Sequence, residues 1–359
     1  MKINIKKVSI FRAGGKAVRG VSIFPGVDHS VKENVDYMEK AFRNGMEYIF
    51  TSVHIPESDR KRVKDEFEIL LEEAEKRNMK VIVDVSKGFF DEFRWEDFRI
   101  HALRLDFGFD DSEIVSLSHK YVIQLNASTV TEDWMKRLVK SGLNINNLTV
   151  CHNYYPRNNT GISLELLTER NKFFKKAGLK IMAFVPGGEF RRGPLYEGLP
   201  TVEAHRNVHI LAGAQELLYA GTDVVLVGDS MASEKELEAL GKTENGVWLL
   251  PVLLFSAARE KYGNFLSQEH IQRSDVAEDV LRSEKIYNGG DIEVFNTGAR
   301  PAGTVTIDNK HYGRYAGSLQ ITKKELPPDS RVNVLGFVYD GGLLIKKIKA
   351  GEKFTFYPV

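Results

Sequence analysis

Along most of the first two thirds of the chain, short runs of apolar residues alternate with amphipathic stretches. The runs are Gly20–Pro25, Tyr48–Val53, Lys80–Val85, Leu103–Phe107, Tyr121–Asn126, Leu148–His152, Lys180–Val185 and Asp223–Gly228. They are rich in Val and Ile and apolar almost throughout, as expected of parallel strands covered on both faces. Helical patterns follow most of them: Val31–Arg43, Ser58–Arg77, Thr131–Lys140, Ser163–Lys176, Val202–Tyr219 and Ser233–Gly241, with weaker ones at Trp95–Ala102 and Asp111–His119. Gly45, Gly142, Gly178 and Gly221 fall just past helices, where a left-handed residue ends them. The pattern predicts an α/β fold, a (β/α)8 TIM barrel, over residues 20–245. A doubly wound open sheet is the competitor, and the absence of a G-x-G-x-x-G after the first strand weakens it.

Beyond residue 245 the periodicity changes. Trp248–Tyr262 reads as an apolar turn and a helix. Then Asp291–Phe295, Gly303–Ile307, Gly317–Ile321, Arg331–Val338, Gly342–Ile348 and Lys353–Tyr357 alternate between apolar and polar, separated by turns that include Pro327-Pro328-Asp329 and Asp340-Gly341-Gly342. This predicts a second domain over 246–359, a small antiparallel β-barrel. Residues 1–19 read as an extension or short β arm with no assigned chemistry.

Composition adds little that is specific. With Lys+Arg 50 against Asp+Glu 49, the net charge of +1 gives no field for nucleic acid or an anionic membrane. The 42% hydrophobic content of the 359 residues suffices for a large core. No apolar run approaches the roughly 20 residues of a membrane span, and the apolar piece at the N-terminus, Val8 to Phe11, is too short for a signal peptide. The single Cys151 excludes an intramolecular disulfide and reads as a buried, inert thiol. A cytoplasmic protein is the expectation. The oligomeric state stays open, a homo-oligomer included.

In such a barrel the chemistry sits at the carboxyl ends of the strands. Those ends deliver Glu57, Asp84, Asp106 and Asp229, with Glu197 on the long loop 186–206 after the seventh strand. A rim of carboxylates, amides, aromatics and arginines suits a polyhydroxylated ligand carrying an anionic group. Two carboxyl groups across a scissile bond are the usual machinery of glycoside hydrolysis. Asp106 is the first candidate for handling the proton, since Phe107 and Phe109 beside it would desolvate it and raise its pKa. Glu197 or Glu57 would be its partner. Asp84 and Asp229 read either as hydrogen-bonding groups for a ligand or as rim charges satisfied by neighbouring arginines. Arg157, Arg191, Arg192 and Arg206 are the candidates for clamping an anion.

Other motifs fail. His205 and His209 lack the intervening Glu of a zincin, Gly241-Lys242-Thr243 lacks the first glycine of a P-loop, and no Ser lies in a G-x-S-x-G elbow. Lys87 as a Schiff-base former yields to a solvated loop lysine. A Mg2+-dependent phosphosugar lyase or isomerase using Glu57, Asp84 and Asp106 is the rival enzyme, and a non-catalytic carbohydrate-binding protein the rival outside enzymes. The leading reading needs neither metal nor other cofactor.

Several of these segments resemble a known family. Ile49-Phe-Thr-Ser52, Leu103-Arg-Leu-Asp-Phe-Gly-Phe109, Gln124-Leu-Asn-Ala-Ser128, His152-Asn-Tyr-Tyr-Pro-Arg157, Arg192-Gly-Pro-Leu-Tyr-Glu-Gly-Leu-Pro-Thr201, His205-Arg206 and Ile307-Asp-Asn-Lys-His-Tyr-Gly-Arg-Tyr315 are similar to domain-of-unknown-function family 871. That family looks like glycoside hydrolase family 170, the 6-phospho-N-acetylmuramidases. The resemblance implies a TIM barrel followed by a cyclophilin-like β domain. It also implies a small-molecule phosphorylated sugar as partner, 6-phospho-N-acetylmuramyl-N-acetylglucosamine, cleaved during peptidoglycan recycling. On this reading Arg157, Arg192 and Arg206 hold the phosphate and lactyl carboxylate. Asn126, His152, Asn153, Tyr155 and His205 order the sugar, and Arg282, Asn309, Arg314 and Tyr315 contribute from the β domain.

Overall fold

The computed structural model describes residues 17–55, 58, 60–244, 246–339 and 342–359. The expected N-terminal arm up to residue 16, Glu57, and Asp340-Gly341 of one expected turn lie outside the described residues. The chain forms two units, one holding Ala17–Ile210 with Leu217–Lys242, the other Leu211–Glu216 with Thr243–Val359.

In the first unit eight parallel strands close into a barrel in sequence order: β1 Val18–Ser22, β2 Tyr48–Ser52, β3 Lys80–Val85, β4 Ala102–Leu105, β5 Ile123–Asn126, β6 Leu148–Cys151, β7 Lys180–Val185 and β8 Val224–Val227. β1 pairs with both β2 and β8, which closes the ring. Between the strands run α1 Val31–Arg43, α2 Arg60–Lys76, a single turn α3 Lys87–Phe90, α4 Asp111–Ser118, α5 Glu132–Lys140, α6 Leu164–Lys176 and α7 Ile210–Tyr219, with α8 Glu234–Gly241 after β8. Capping boxes at Ser30/Glu33, Asp110/Glu113 and Ser233/Glu236 satisfy the first N–H groups of α1, α4 and α8. The helix expected over Val202–Tyr219 begins only at Ile210, because its first third is a 3-10 turn, Glu203–His205, built into the loop. The expected Trp95–Ala102 helix is a 3-10 turn, Trp95–Asp97, that packs Trp95 against Phe67, Phe90 and Phe93.

The barrel is filled from inside. Tyr48 and Phe50 of β2, Ile82 of β3, Ala102 of β4, Cys151 of β6, Met182 and Phe184 of β7, and Val224 and Leu226 of β8 form one buried cluster. Side chains two apart on a strand share a face, so this set fixes which residues of each strand point inward. Cys151 lies inside it, and burial pushes its thiol up to about 12, which makes it inert.

The second unit is a seven-stranded sheet of β9 Val247–Leu254, β10 His270–Ile271, β11 Val280–Ile286, β12 Thr304–Asp308, β13 Ser318–Thr322, β14 Val332–Val338 and β15 Lys353–Pro358, ordered β10-β15-β9-β14-β12-β13-β11. A bridge between Gln272 and Ser283 nearly closes it. The sheet is not purely antiparallel, since β15 runs parallel to β9. Three expectations are corrected here. Trp248 lies in a strand rather than a turn, and the helix is α9, Ser256–Leu266. Asp291–Phe295 and Gly342–Ile348 are not strands; the latter folds as turns that bury Leu344, Ile345 and Ile348. β11 had no distinct signal, because its alternation runs into the charged Glu284-Lys285.

Candidate active site

The inward alternation of β2, β3, β4 and β6 continues past the apolar layers to the carboxyl end of the barrel. There it delivers Ser52 and His54, Asp84, Arg104 and Asp106, and Asn153. With Phe50, Ile55, Phe107, Tyr154, Phe184 and Arg192 these residues line a cavity of about 400 Å³.

Arg104 is its electrostatic centre. The guanidinium is buried and donates through Nη1 to Asp84 Oδ1, a side chain equally buried, and more weakly to Asp106 Oδ1 at 3.5 Å. Nη2 donates to Asn153 Oδ1. Burial works against the Arg104 charge, but the facing Asp84 and Asp106 carboxylates more than offset it and keep it firmly protonated. On the other side of Asp106, His54 Nε2 stands 3.2 Å from Oδ2.

These neighbours correct one expectation. The hydrogen bond from His54, ahead of the opposing effect of burial, and the Arg104 charge hold the Asp106 carboxyl below its ordinary range. The phenylalanines do not enclose it: Phe107 is 63% exposed, and Phe109 packs edge-on against Phe90.

Arg192 reaches the cavity from the loop after β7. Its guanidinium lies over the rings of Phe24 at 4.8 Å and Tyr154 at 5.1 Å, and Nη1 donates to the Tyr154 hydroxyl at 3.0 Å. Its Nε is buried without a partner, and Nη2 makes no hydrogen bond among the described residues, which leaves Nη2 for a ligand.

The loop is held by side chains that the sequence offers as candidates for the ligand. Asp229 is fully buried and accepts from the backbone N–H of Gly187, Arg192 and Leu199. Burial pushes its carboxyl up against the downward pull of those three bonds. Gly228 completes the seat, since a Cβ there would meet the Leu199 carbonyl at 2.4 Å. Arg206 is 3% exposed and donates to both Glu203 oxygens and to the carbonyls of Tyr155, Arg157, Glu197 and Gly198. It stitches two loops together rather than clamping an anion. Arg191 likewise donates to the carbonyls of Glu197 and Arg206.

The remaining candidates divide in the same way. His152 is fully buried between Asn171 and Ser128, and burial pulls its imidazole down to about 4, so it is core rather than a sugar contact. His205 is fully buried in the 3-10 turn. Asn126 caps the backbone N–H of Ser128. Tyr155 is half-buried and its main chain bonds Pro200 and Arg206. Arg157 is exposed on the rim, and Glu197 is half-buried on the loop outside the cavity lining. In the second unit, Asn309 is buried, bonding Ser330 and Asn333 and capping His311. Arg282 is paired with Asp275, and Arg314 donates to the Tyr315 hydroxyl on an exposed turn. His54, Arg104 and Tyr154 were missed, although the two-residue alternation through Phe50 and Ala102 points to the first two.

Among the described residues, one group could offer three metal ligands: atoms of His54, Asp84 and Asp106 lie within 4.8 Å of one another. The Arg104 guanidinium already bridges both carboxylates through their Oδ1 atoms and offsets much of the negative charge that would attract a cation there. Mg2+ in particular favours an all-oxygen octahedron with several waters. The set fits an ion-paired cluster better than a metal centre.

A family model described as 6-phospho-N-acetylmuramidase, N-terminal, matches residues 19–242, and its C-terminal counterpart matches 248–357. The chain belongs to the 6-phospho-N-acetylmuramidase family. As a member of that family it is a glycosidase. Two solved structures are similar over nearly the whole chain. A conserved Enterococcus faecalis protein of unknown function is 35% identical, with 95% of this chain and 96% of that one covered and a TM-score of 0.78. An uncharacterized B. cereus protein is 30% identical, with 96% and 100% covered and a TM-score of 0.79. No curated protein matches the chain. Among the described residues no helix is long and apolar enough to cross a membrane.

Proposed function

We propose that this glycosidase cleaves the bond between 6-phospho-N-acetylmuramic acid and N-acetylglucosamine, in the cytoplasm, during recycling of cell-wall peptidoglycan. The observation that carries the reading is that Asp106 and Arg192 line one cavity at the carboxyl end of the barrel. Asp106 handles the proton at the glycosidic oxygen, and its half-open position leaves one edge free for the sugar. Arg192 holds an anionic substituent of the muramic acid, its planar fork suiting phosphate or carboxylate. Asn153, fixed by Arg104, and the Tyr154 ring order the sugar between them. Glu197 is the carboxylate that would complete the pair after a movement of its loop.

The test is incubation of the purified enzyme with the phosphorylated and unphosphorylated disaccharides. Release of N-acetylglucosamine from the phosphorylated compound alone is expected. Equal turnover of both would remove the phosphate from the proposal, and an Asp106→Asn enzyme at full rate would remove Asp106.

A further inference from the structure

The position of His54 has a chemical requirement built into it. Its Nδ1 lies 3.2 Å from the backbone carbonyl oxygen of Asp84 and 3.4 Å from Ser52 Oγ; the carbonyl oxygen can only accept, so the shorter contact assigns a hydrogen to Nδ1. The opposite ring nitrogen, Nε2, faces the carboxylate oxygens of Asp106 at 3.2 Å and Asp84 at 3.8 Å. With Nδ1 already protonated, a neutral imidazole would turn its Nε2 lone pair on those oxygens. One further proton must therefore lie between Nε2 and Asp106 Oδ2. The His54 side chain is 9% exposed and that of Asp106 is 30% exposed, so Asp106 is the outward member and His54 stands behind it.

We propose that His54 and Asp106 hold one proton as a unit, with His54 the positioning residue that loads Asp106 for transfer to the substrate. The last step rests on the glycosidase reading above. At rest the pair is imidazolium and carboxylate. As the bond from the anomeric carbon to the glycosidic oxygen breaks, the proton moves from Nε2 to Asp106 and on to that oxygen, which takes the bonding electron pair. The water that then adds to the anomeric carbon loses a proton, and that proton returns through Asp106 to Nε2, restoring the pair.

The surroundings favour this resting state. Asp84 faces the ring from β3, Arg104 and Asp106 from β4, and Ser52 from β2 at 3.4 Å, while Phe89 and Phe107 close its sides. Lys87, the nearby cation on α3, is turned away to Asp91 and Glu113. Burial pulls the imidazolium down, but the bond to Asp106 and the charges of Asp84 and Asp106 outweigh it and raise His54 above its ordinary value. Arg104 is committed to Asp84 and Asn153.

The test uses the 15N-labelled full-length protein without substrate, reading ring nitrogens by long-range 1H–15N correlation. The His54 signals are assigned by their loss in His54→Gln or by their selective shift in Asp106→Asn. Both His54 nitrogens should be protonated at pH 7, and Asp106→Asn should return the ring to the neutral form at that pH. A neutral wild-type ring with only Nδ1 protonated at pH 7 would overturn the proposal. In turnover of the phosphorylated disaccharide, His54→Gln should lower kcat about 100-fold, leave KM within about twofold, and displace the alkaline limb of the pH profile. An unmoved limb would leave His54 merely structural and also overturn it. If the disaccharide is not cleaved by the wild type, the substrate assignment fails while the ring protonation still decides the dyad.

Discussion

Arg206 donates Nε and Nη2 to the two carboxylate oxygens of Glu203, each at 2.7 Å, and the remaining donors of the same guanidinium close on four backbone carbonyls. The pair joins the loop after β6 to the loop after β7, because Glu203 also accepts from the N–H groups of Asn159 and Gly161. Arg206→Ala would take the cation from Glu203, leaving it the N–H groups of Asn159 and Gly161, and remove a donor from each of the four carbonyls. The expected result is a loss of stability on the order of 3 kcal/mol, read as a lower urea midpoint, with KM for the phosphorylated disaccharide raised less than by changes at Arg192.

Glu203 makes the same clamp pH-dependent. The Arg206 hydrogen bonds, against a smaller cost of burial, hold its carboxyl down at about 2 from an ordinary 4.5. A depressed carboxyl contributes stability that is full above its unfolded value and is lost as pH falls through the folded one. Urea midpoints of the wild type should therefore drop more steeply between pH 4.5 and 2 than those of Glu203→Gln.

Arg104→Lys keeps a charge but not the geometry. One ammonium cannot serve Asp84, Asp106 and Asn153 together as the planar fork does. A charged hydrogen bond contributes roughly 1.5–3 kcal/mol, so kcat/KM should fall on the order of 10- to 100-fold. Steady-state kinetics on the phosphorylated disaccharide checks this, with near-UV circular dichroism to show that the barrel is intact.

Arg192 separates recognition of the anion from packing. Arg192→Lys retains a cation near Phe24 and Tyr154 but loses the bidentate fork. It should weaken the enzyme on the phosphorylated disaccharide by about tenfold, roughly one charged hydrogen bond, and leave any residual turnover of the unphosphorylated one unchanged. An equal loss on both would assign Arg192 to structure.

The run of Val- and Ile-rich segments separated by amphipathic helices determined the barrel. Strands sheathed on both sides and helices with one apolar stripe have a signature in any single segment. The carboxyl-end location of Asp84, Asp106 and Arg192 followed from it. Which charged side chains face a ligand was decided only by tertiary structure, since a residue's partners lie tens of residues away. Asp229 and Arg206 look the same in sequence whether they meet a phosphate or the backbone of a folded-back loop, and here they meet backbone. Asp106 looked like a carboxyl raised by two phenylalanines until β2 brought His54, and β4 itself Arg104, against it. Local patterns carry period and burial; the identity of a charge's neighbour is a property of the closed ring.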